Sequence, residues 1–387
     1  MSTLFGTSQL ENFKASLDAR SQASVASAIE RITEIKKRGG KVMVVTGSGP
    51  NIHEGVTTLI AELIRVGIVD AVSTSSAVIS HEMAGSLDRV FRVDAKALGM
   101  DMEKMPRGDV FEFTCMTEEE LNTVRREMPL DEDVLQRGAK LPKQNEIIKA
   151  AGNMAYPMGL RTERLAHEIL GLARMYGLPF ETVAGWGCDE HTMLGAAAKK
   201  GVPVLVTIPQ LIGGGAVGMS IGDSIPVSQR SMRLSRMLAD CDAIIESAVA
   251  LTQEIHDGPF ECYTGHGIWA WWSGQNTYNL RKAVELNQTV QEAIDKGLPK
   301  TKAAKIPFRM EMSAFARHEN SIPVIGDIGK VWPLVAAGVA KNLGIELEFL
   351  SASQDTPEGA AMREWIVDNV KPLDRDKMLA QAKEYTI

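Results

Sequence analysis

The run Val42-Met43-Val44-Val45-Thr46-Gly47-Ser48-Gly49-Pro50-Asn51-Ile52-His53-Glu54-Gly55 constrains this chain more than any other stretch. Apolar, mostly β-branched residues pass almost directly into Gly47-Ser48-Gly49-Pro50, and a helical pattern begins at about His53. This reads as a buried strand, a tight glycine turn and a helix N-terminus. Such a turn aims free backbone N–H groups and the positive end of a helix dipole at one spot, which suits a phosphate or a carboxylate. The dinucleotide fingerprint has a third glycine where this chain has Ile52, so the same residues also fit an ordinary strand-to-helix turn.

Strand-like runs recur with helical patterns between them. The strand runs are 41–45, 71–74, 90–93, 110–113, 181–184, 202–208, 243–246, 322–325 and 346–349. Helical periodicity fills 22–37, 54–66, 118–127, 161–176, 189–199, 227–239, 276–296, 329–342 and 356–369. The nearly continuous apolar runs at 202–208 and 322–325 are what strands buried on both faces of a parallel sheet look like. The alternation predicts an α/β fold, a doubly wound and mainly parallel sheet of Rossmann-like type with helices on both faces. Residues 1–40 read as an N-terminal helical segment and 41–387 as a single α/β domain. Residues 106–109 and 130–145 read as loops or inserted helices.

A length of 387 residues suits one large domain or two intimate ones. A net charge of −7 with no basic run argues against nucleic acid as a partner. Apolar runs are too short to span a bilayer, and the start of the chain has no export pattern. Cys115, Cys188, Cys241 and Cys262 are scattered, as expected of free thiols in a reducing cytoplasm. Cys188 and His191 have a spacing that metal ligands can use, but nothing nearby completes a four-ligand set, so no metal is expected.

In open α/β sheets ligands bind beyond the carboxyl ends of the strands, so the residues that follow each strand carry the interest. After the second strand come Ser73-Thr74-Ser75-Ser76-Ala77 and then His81-Glu82. Small hydroxyls there donate to phosphate or ribose oxygens, or else cap the next helix. His81 beside Glu82 is a candidate acid–base pair. After the fifth run come Gly185-Trp186-Gly187-Cys188-Asp189-Glu190-His191, whose acids also complement a helix dipole. Residues 209–224, with Gly213, Gly214, Gly215, Gly218 and Gly222, read as a ligand-covering loop, because so many glycines are entropically costly. Glu246 ends the 243–246 run, with His256 and the Trp269-Ala270-Trp271-Trp272 patch beyond it. That patch suits a subunit interface or a pocket wall. Asp327, flanked by Gly326 and Gly329, suits ribose hydroxyls, a cationic amine or a helix cap.

Taken in order over about residues 42–344, these segments resemble the deoxyhypusine-synthase-like superfamily of NAD-binding proteins. Two branches serve as models. In deoxyhypusine synthase, the Thr-rich strand end resembles Ser73–Ala77, and an acid before a "hydrophobic-Pro-Leu" helix resembles Asp327 through Leu334. That enzyme carries a catalytic lysine about thirteen residues before the acid. Here the place falls near Ala314, no lysine occurs from 306 to 329, Arg317 is the nearest cation, and Lys330 lies on the wrong side of Asp327. The NAD-dependent ornithine cyclodeaminase branch is also found as the C-terminal domain of proteins labelled lysine-oxoglutarate reductase/saccharopine dehydrogenase. Its Gly-Pro turn with a His-containing helix start is similar to Gly49-Pro50-Asn51-Ile52-His53. Its Asn-Ala-x-Ala-x-His-Asp segment is similar to Ser76-Ala77-Val78-Ile79-Ser80-His81-Glu82, with Ser76 in place of Asn.

The resemblance to the second branch implies an NAD-dependent lyase, cyclodeaminase or transferase on a small amine or amino acid. NAD takes a hydride from the carbon bearing nitrogen, and the resulting imine loses, cyclises or exchanges its nitrogen. An aminobutyl transferase and a non-catalytic NAD-binding protein are the alternatives. Expected catalytic groups are His81, Glu82 and Glu246. Expected NAD contacts are Gly47, Ser48, Gly49, Pro50, Asn51, Ser75, Ser76, Ala77, Gly214 and Asp327. Asp189, Asp223, His256 and Trp271 are expected at the substrate, and a homodimer or homotetramer is expected from the tryptophan patch.

Overall fold

Four short apolar strands lie side by side at the centre of the computed structural model, which describes residues 7–47, 49–103, 110–150, 155–206, 215–247, 322, 324 and 326–385. They are β1 (Val42–Thr46), β2 (Ala71–Thr74), β6 (Val204–Val206) and β7 (Ala243–Ser247), in the order β6-β2-β1-β7 and all parallel. The chain leaves β1 toward β2 on one side and comes back on the other as β7. The order therefore reverses at β1, which puts a crevice at the carboxyl ends of β1 and β7.

Register assigns each residue to a face. Val42, Val44, Val72, Val204, Val206 and Ile245 pack into the main apolar cluster. There they meet helices α4 (Val56–Arg65), α10 (Met193–Lys200) and α13 (Ile328–Leu343). Met43, Val45, Ala71, Leu205 and Ile244 face the other way, onto Leu234, Met237 and Leu238 of α12 (Val227–Ala239). The sheet is thus covered on both faces, as its near-continuous apolar strands require. Residues Val56 to Ile64 of α4 are all buried, Glu62 included, so this helix lies within the core rather than over it. The N-terminal helices α1 (Thr7–Ala15) and α2 (Ala19–Lys37) feed Phe13, Val25, Ile32 and Ile35 into the same cluster as β1.

Several sequence expectations need correction. Residues 90–93 and 110–113 are strands, but not of the parallel sheet. They lie in β3 (Asp88–Asp94) and β4 (Val110–Thr114), which with β5 (Ile147–Lys149) form a separate antiparallel sheet ordered β4-β3-β5. Phe91 stacks on Phe113 at 5.1 Å, and Val93, Leu98, Phe113 and Val134 make a small cluster of their own. Residues 181–184 are not a strand but part of α9 (Phe180–Gly187). Phe180, Val183, Ala184 and Gly187 are buried at helical spacing behind Pro179, a period that a four-residue window cannot show. Residues 346–349 bury Leu347 and Phe349 alternately, yet the Glu348 amide bonds the Glu62 carboxylate at 2.7 Å instead of a strand. The glycine-rich segment is also not wholly a loop, since α11 (Ala216–Ser224) is a helix with six buried residues.

The remaining helices among the described residues are α3 (Gly49–His53), α5 (Ser76–Met83), α6 (Glu118–Glu127), α7 (Glu132–Lys140), α8 (Met158–Tyr176), α14 (Pro357–Asn369) and α15 (Arg375–Glu384). Gly55, at φ +69°, separates α3 from α4. The expected helix over 276–296, most of the 322–325 strand and the Trp269–Trp272 patch lie outside the described residues. No helix among the described residues is long and apolar enough to cross a membrane.

Candidate functional site

The carboxyl edge of the parallel sheet ends in a row of hydroxyls. Thr46 lies opposite Ser247, and the β1–β2 register brings Thr74 up on its other side. Thr46 and Thr74 are fully buried, and neither hydroxyl has a hydrogen-bond partner. On the opposite face of the same edge, Ser73 Oγ and Glu246 Oε1 are shut off from solvent and also without a partner. An unsatisfied buried polar group costs about 1–3 kcal/mol, so four at one edge call for a reason.

Ser247 is held differently. Its hydroxyl donates to Asn51 Oδ1 at 2.8 Å and accepts the Trp332 indole N–H at 2.7 Å. Asn51 Nδ2 donates to the Gly47 carbonyl at 2.7 Å. The fully buried Asn51 side chain therefore knits the β1 turn to the end of β7, a structural task beside its expected role as an NAD contact. Ile52, in the third-glycine position, is buried in the core. Ser75 caps α5, accepting from the Val78 amide at 3.2 Å. Ser76 is fully buried at the first position of that helix, and Ala77 is half-buried beside it. Gly49 and Pro50 open α3, whereas Ser48, Gly214, His256 and Trp271 lie outside the described residues.

Two imidazoles lie on the helices that follow β1 and β2. His53 closes α3 and His81 lies in the last turn of α5, and each has a buried Nδ1 with no partner. Burial, then the neighbouring His53, brings the His81 pKa down to about 4. Burial, then the Arg363 guanidinium, lowers that of His53. Both rings are therefore neutral near pH 7.

The acids divide by what holds them. Glu82 is fully buried, and its two oxygens accept the Met193 and Leu194 amides at 2.8 and 3.1 Å, at the start of α10. Burial lifts its pKa to about 7, against the pull of those amides. Glu246 has its carboxyl pushed up to about 8 by burial, with no compensating bond. Asp327 caps α13 through the Gly329 amide at 2.9 Å, and its other oxygen accepts the Ser353 hydroxyl at 2.7 Å. Asp189 holds the His191 amide and ring at 2.9 and 2.8 Å and accepts the Lys371 amide at 3.2 Å. Asp223 is exposed on α11, 3.5 Å from Arg174. The structure thus brings Thr46, Thr74 and Glu246 to one edge, and leaves Asp189 and Asp223 in local pairs. Cys188 is buried in the main core, and His191 meets the Trp365 ring, so the two do not face a common site.

Three groups escaped the sequence reading. Arg363 lies in α14, where nothing in the local pattern points to the strand ends. Trp332 reads as an ordinary core residue of its helix. Arg230 pairs with Glu181 inside the protein, and Glu181 also accepts the Val206 amide at 2.7 Å at the end of β6. The signal for Arg230 was present, because it shares the apolar stripe of α12 with Leu234, Met237 and Leu238.

No protein-family model matches the chain. A stretch of 81 residues is 32% identical to an ornithine cyclodeaminase of Methanothermobacter thermautotrophicus, covering 21% of this chain and 18% of that enzyme. Among solved structures, the apo form of ArgZ, an arginine dihydrolase from the ornithine-ammonia cycle in cyanobacteria, aligns over 84% of this chain and 32% of its own. The TM-score is 0.40 and the identity 12%. The chain thus spans less than a fifth of the first relative and about a third of the second. The similarity to ornithine cyclodeaminase is distant and partial.

Proposed function

We propose that this protein is an NAD-binding enzyme acting on a small amine or amino acid. The observation that carries this reading is the set of unpartnered buried groups at the carboxyl edge, Thr46 and Thr74 on one face, Ser73 and Glu246 on the other. Such an edge suits a ligand rich in hydroxyl and phosphate oxygens, at the crevice where the strand order reverses. The 81-residue similarity to an ornithine cyclodeaminase supports a nitrogen-bearing substrate.

The Gly47 turn, Thr46, Thr74 and the start of α5 at Ser76 and Ala77 would hold the dinucleotide. Bound NAD supplies a hydride acceptor for the carbon that carries nitrogen. Glu246 handles the proton. A carboxyl with a pKa of about 8 and a free oxygen exchanges protons readily near neutrality. Glu82 has both oxygens bound to α10, so its share is to fix α5, and with it His81, against the core.

Calorimetry on NAD tests the reading. Thr46→Val and Thr74→Val each remove one hydroxyl at nearly constant shape, and each should weaken NAD binding about tenfold, the usual scale of one lost hydrogen bond. Unchanged affinity in both variants, or no NAD binding by the unaltered protein, removes the proposed site. Reduction of NAD on addition of members of an amine and amino-acid panel tests the reaction class.

A further inference from the structure

Three helices of the protein carry buried side-chain nitrogens without a hydrogen-bond partner. His53 Nε2 accepts the Ala150 amide at a long 3.5 Å, which leaves the proton on Nδ1. That Nδ1 is buried and has nothing to donate to. His81 Nδ1 and Arg363 Nε are likewise shut off from solvent and unpartnered. The charged or titratable neighbours that act on the two rings are each other and Arg363, with no carboxylate among them in the described residues.

The three side chains come from separate elements, and the fold fixes each. His53 ends α3 immediately before the Gly55 turn. Met362 of α14 packs its sulfur directly against Gly55, so α14 is docked on that turn. The Ala352 amide lies 3.1 Å from that sulfur, and the next residue but one, Glu364, pairs with Arg89 of β3. Arg363 is thereby fixed between two anchored neighbours. His81 is carried by α5, which Glu82 ties to α10.

We infer that His53, His81 and Arg363 form a subsite for a small oxyanion, a carboxylate or a phosphate group. The guanidinium supplies charge, and the two neutral imidazoles supply N–H donors in a setting where charge-assisted hydrogen bonds are strong. A negative group among them would give the unpartnered nitrogens the hydrogen-bond acceptor they lack. None of the three side chains belongs to the row of strand-end hydroxyls assigned to NAD, so the two sites can be tested apart.

Nuclear magnetic resonance of protein carrying 15N-labelled histidine reads the site directly. The chain has seven histidines, and His53→Gln and His81→Gln assign the two of interest. Inorganic phosphate and acetate are the probes, in separate titrations, so that the stronger binder tells a phosphate from a carboxylate source. The His53 and His81 ring signals should shift and saturate with at least one anion, while those of His167 and His191 stay in place. Arg363→Gln should weaken this binding about ten- to a hundredfold, the scale of a lost charged hydrogen bond, and Arg363→Lys should retain part of it. If neither anion moves the two rings, or if Arg363→Gln titrates like the unaltered protein, the inference is wrong. Circular dichroism confirms that each variant is folded, and NAD calorimetry on the same samples separates failure of this subsite from failure of the NAD site.

Discussion

Glu82 and Glu246 are both buried carboxyls near strand ends, but their partners give them different work. Glu82 bonds two amides at the start of α10, where an acid also meets the positive end of the helix dipole. Glu82→Gln keeps one acceptor oxygen and turns the other into a donor facing an N–H. The variant should lose about 1–3 kcal/mol of stability in urea unfolding, with NAD affinity unchanged. A drop in NAD-dependent turnover of several orders of magnitude with stability intact would instead return Glu82 to the chemistry. Glu246 has an oxygen with no partner. Glu246→Gln should leave NAD bound and lower turnover by about two to four orders of magnitude, the scale of general acid–base loss. With a carboxyl pKa of about 8, turnover of the unaltered protein should rise with pH up to that value. A flat profile between pH 6 and 8 would exclude Glu246 as the base.

At the scale of elements, Gly329 shows how tightly α13 is seated. A Cβ there would run into the Glu54 carboxylate and come within 2.6 Å of Ser353 Cα. Glu54 also accepts the Gln354 amide at 2.7 Å, and Ser353 bonds Asp327, so little can give way. Gly329→Ala should cost about 1–3 kcal/mol, as overpacking does, measured as a lower urea midpoint. Elements with a complete local pattern were legible in the sequence. The helices over 118–127 and 227–239 occupy the expected residues, and the strand expected over 41–45 is β1, an inner strand of the parallel sheet. Elements whose identity depends on distant partners were not. Residues 181–184 are β-branched enough for a strand, but their neighbours bury them at helical spacing, and 346–349 alternates without a strand to pair with. The site follows the same division. His81 and Glu246 stood out because they lie after or at the end of a strand, whereas Arg363 lies on α14, whose docking on the Gly55 turn no local pattern encodes.

Across the whole molecule, the buried titratable groups give stability a definite slope with pH. Burial raises Glu82 to about 7 and Glu246 to about 8, and burial together with Glu120 raises Asp88 to about 7. In the unfolded chain these carboxyls ionise near 4, so between about pH 4 and 8 the folded state holds protons that the unfolded state has lost. Their contribution is favourable below that window and is lost as pH rises through it. His191, raised by its bond to Asp189, acts in the same direction above its usual value of 6.5. His81, lowered to about 4, and His53 act oppositely, since their stability is full above 6.5 and is lost only as pH falls below it. From pH 6.5 to 8 the carboxyls and His191 therefore act unopposed, and stability should fall with rising pH. Urea unfolding at pH 6.5 and 8.5 should give the higher midpoint at 6.5, a difference that Glu246→Gln should reduce because it removes the most strongly raised of these carboxyls. A midpoint that is level or higher at pH 8.5 would show that the carboxyls at the strand ends are not held neutral, and with that the proton-handling role proposed for Glu246 would lose its physical basis.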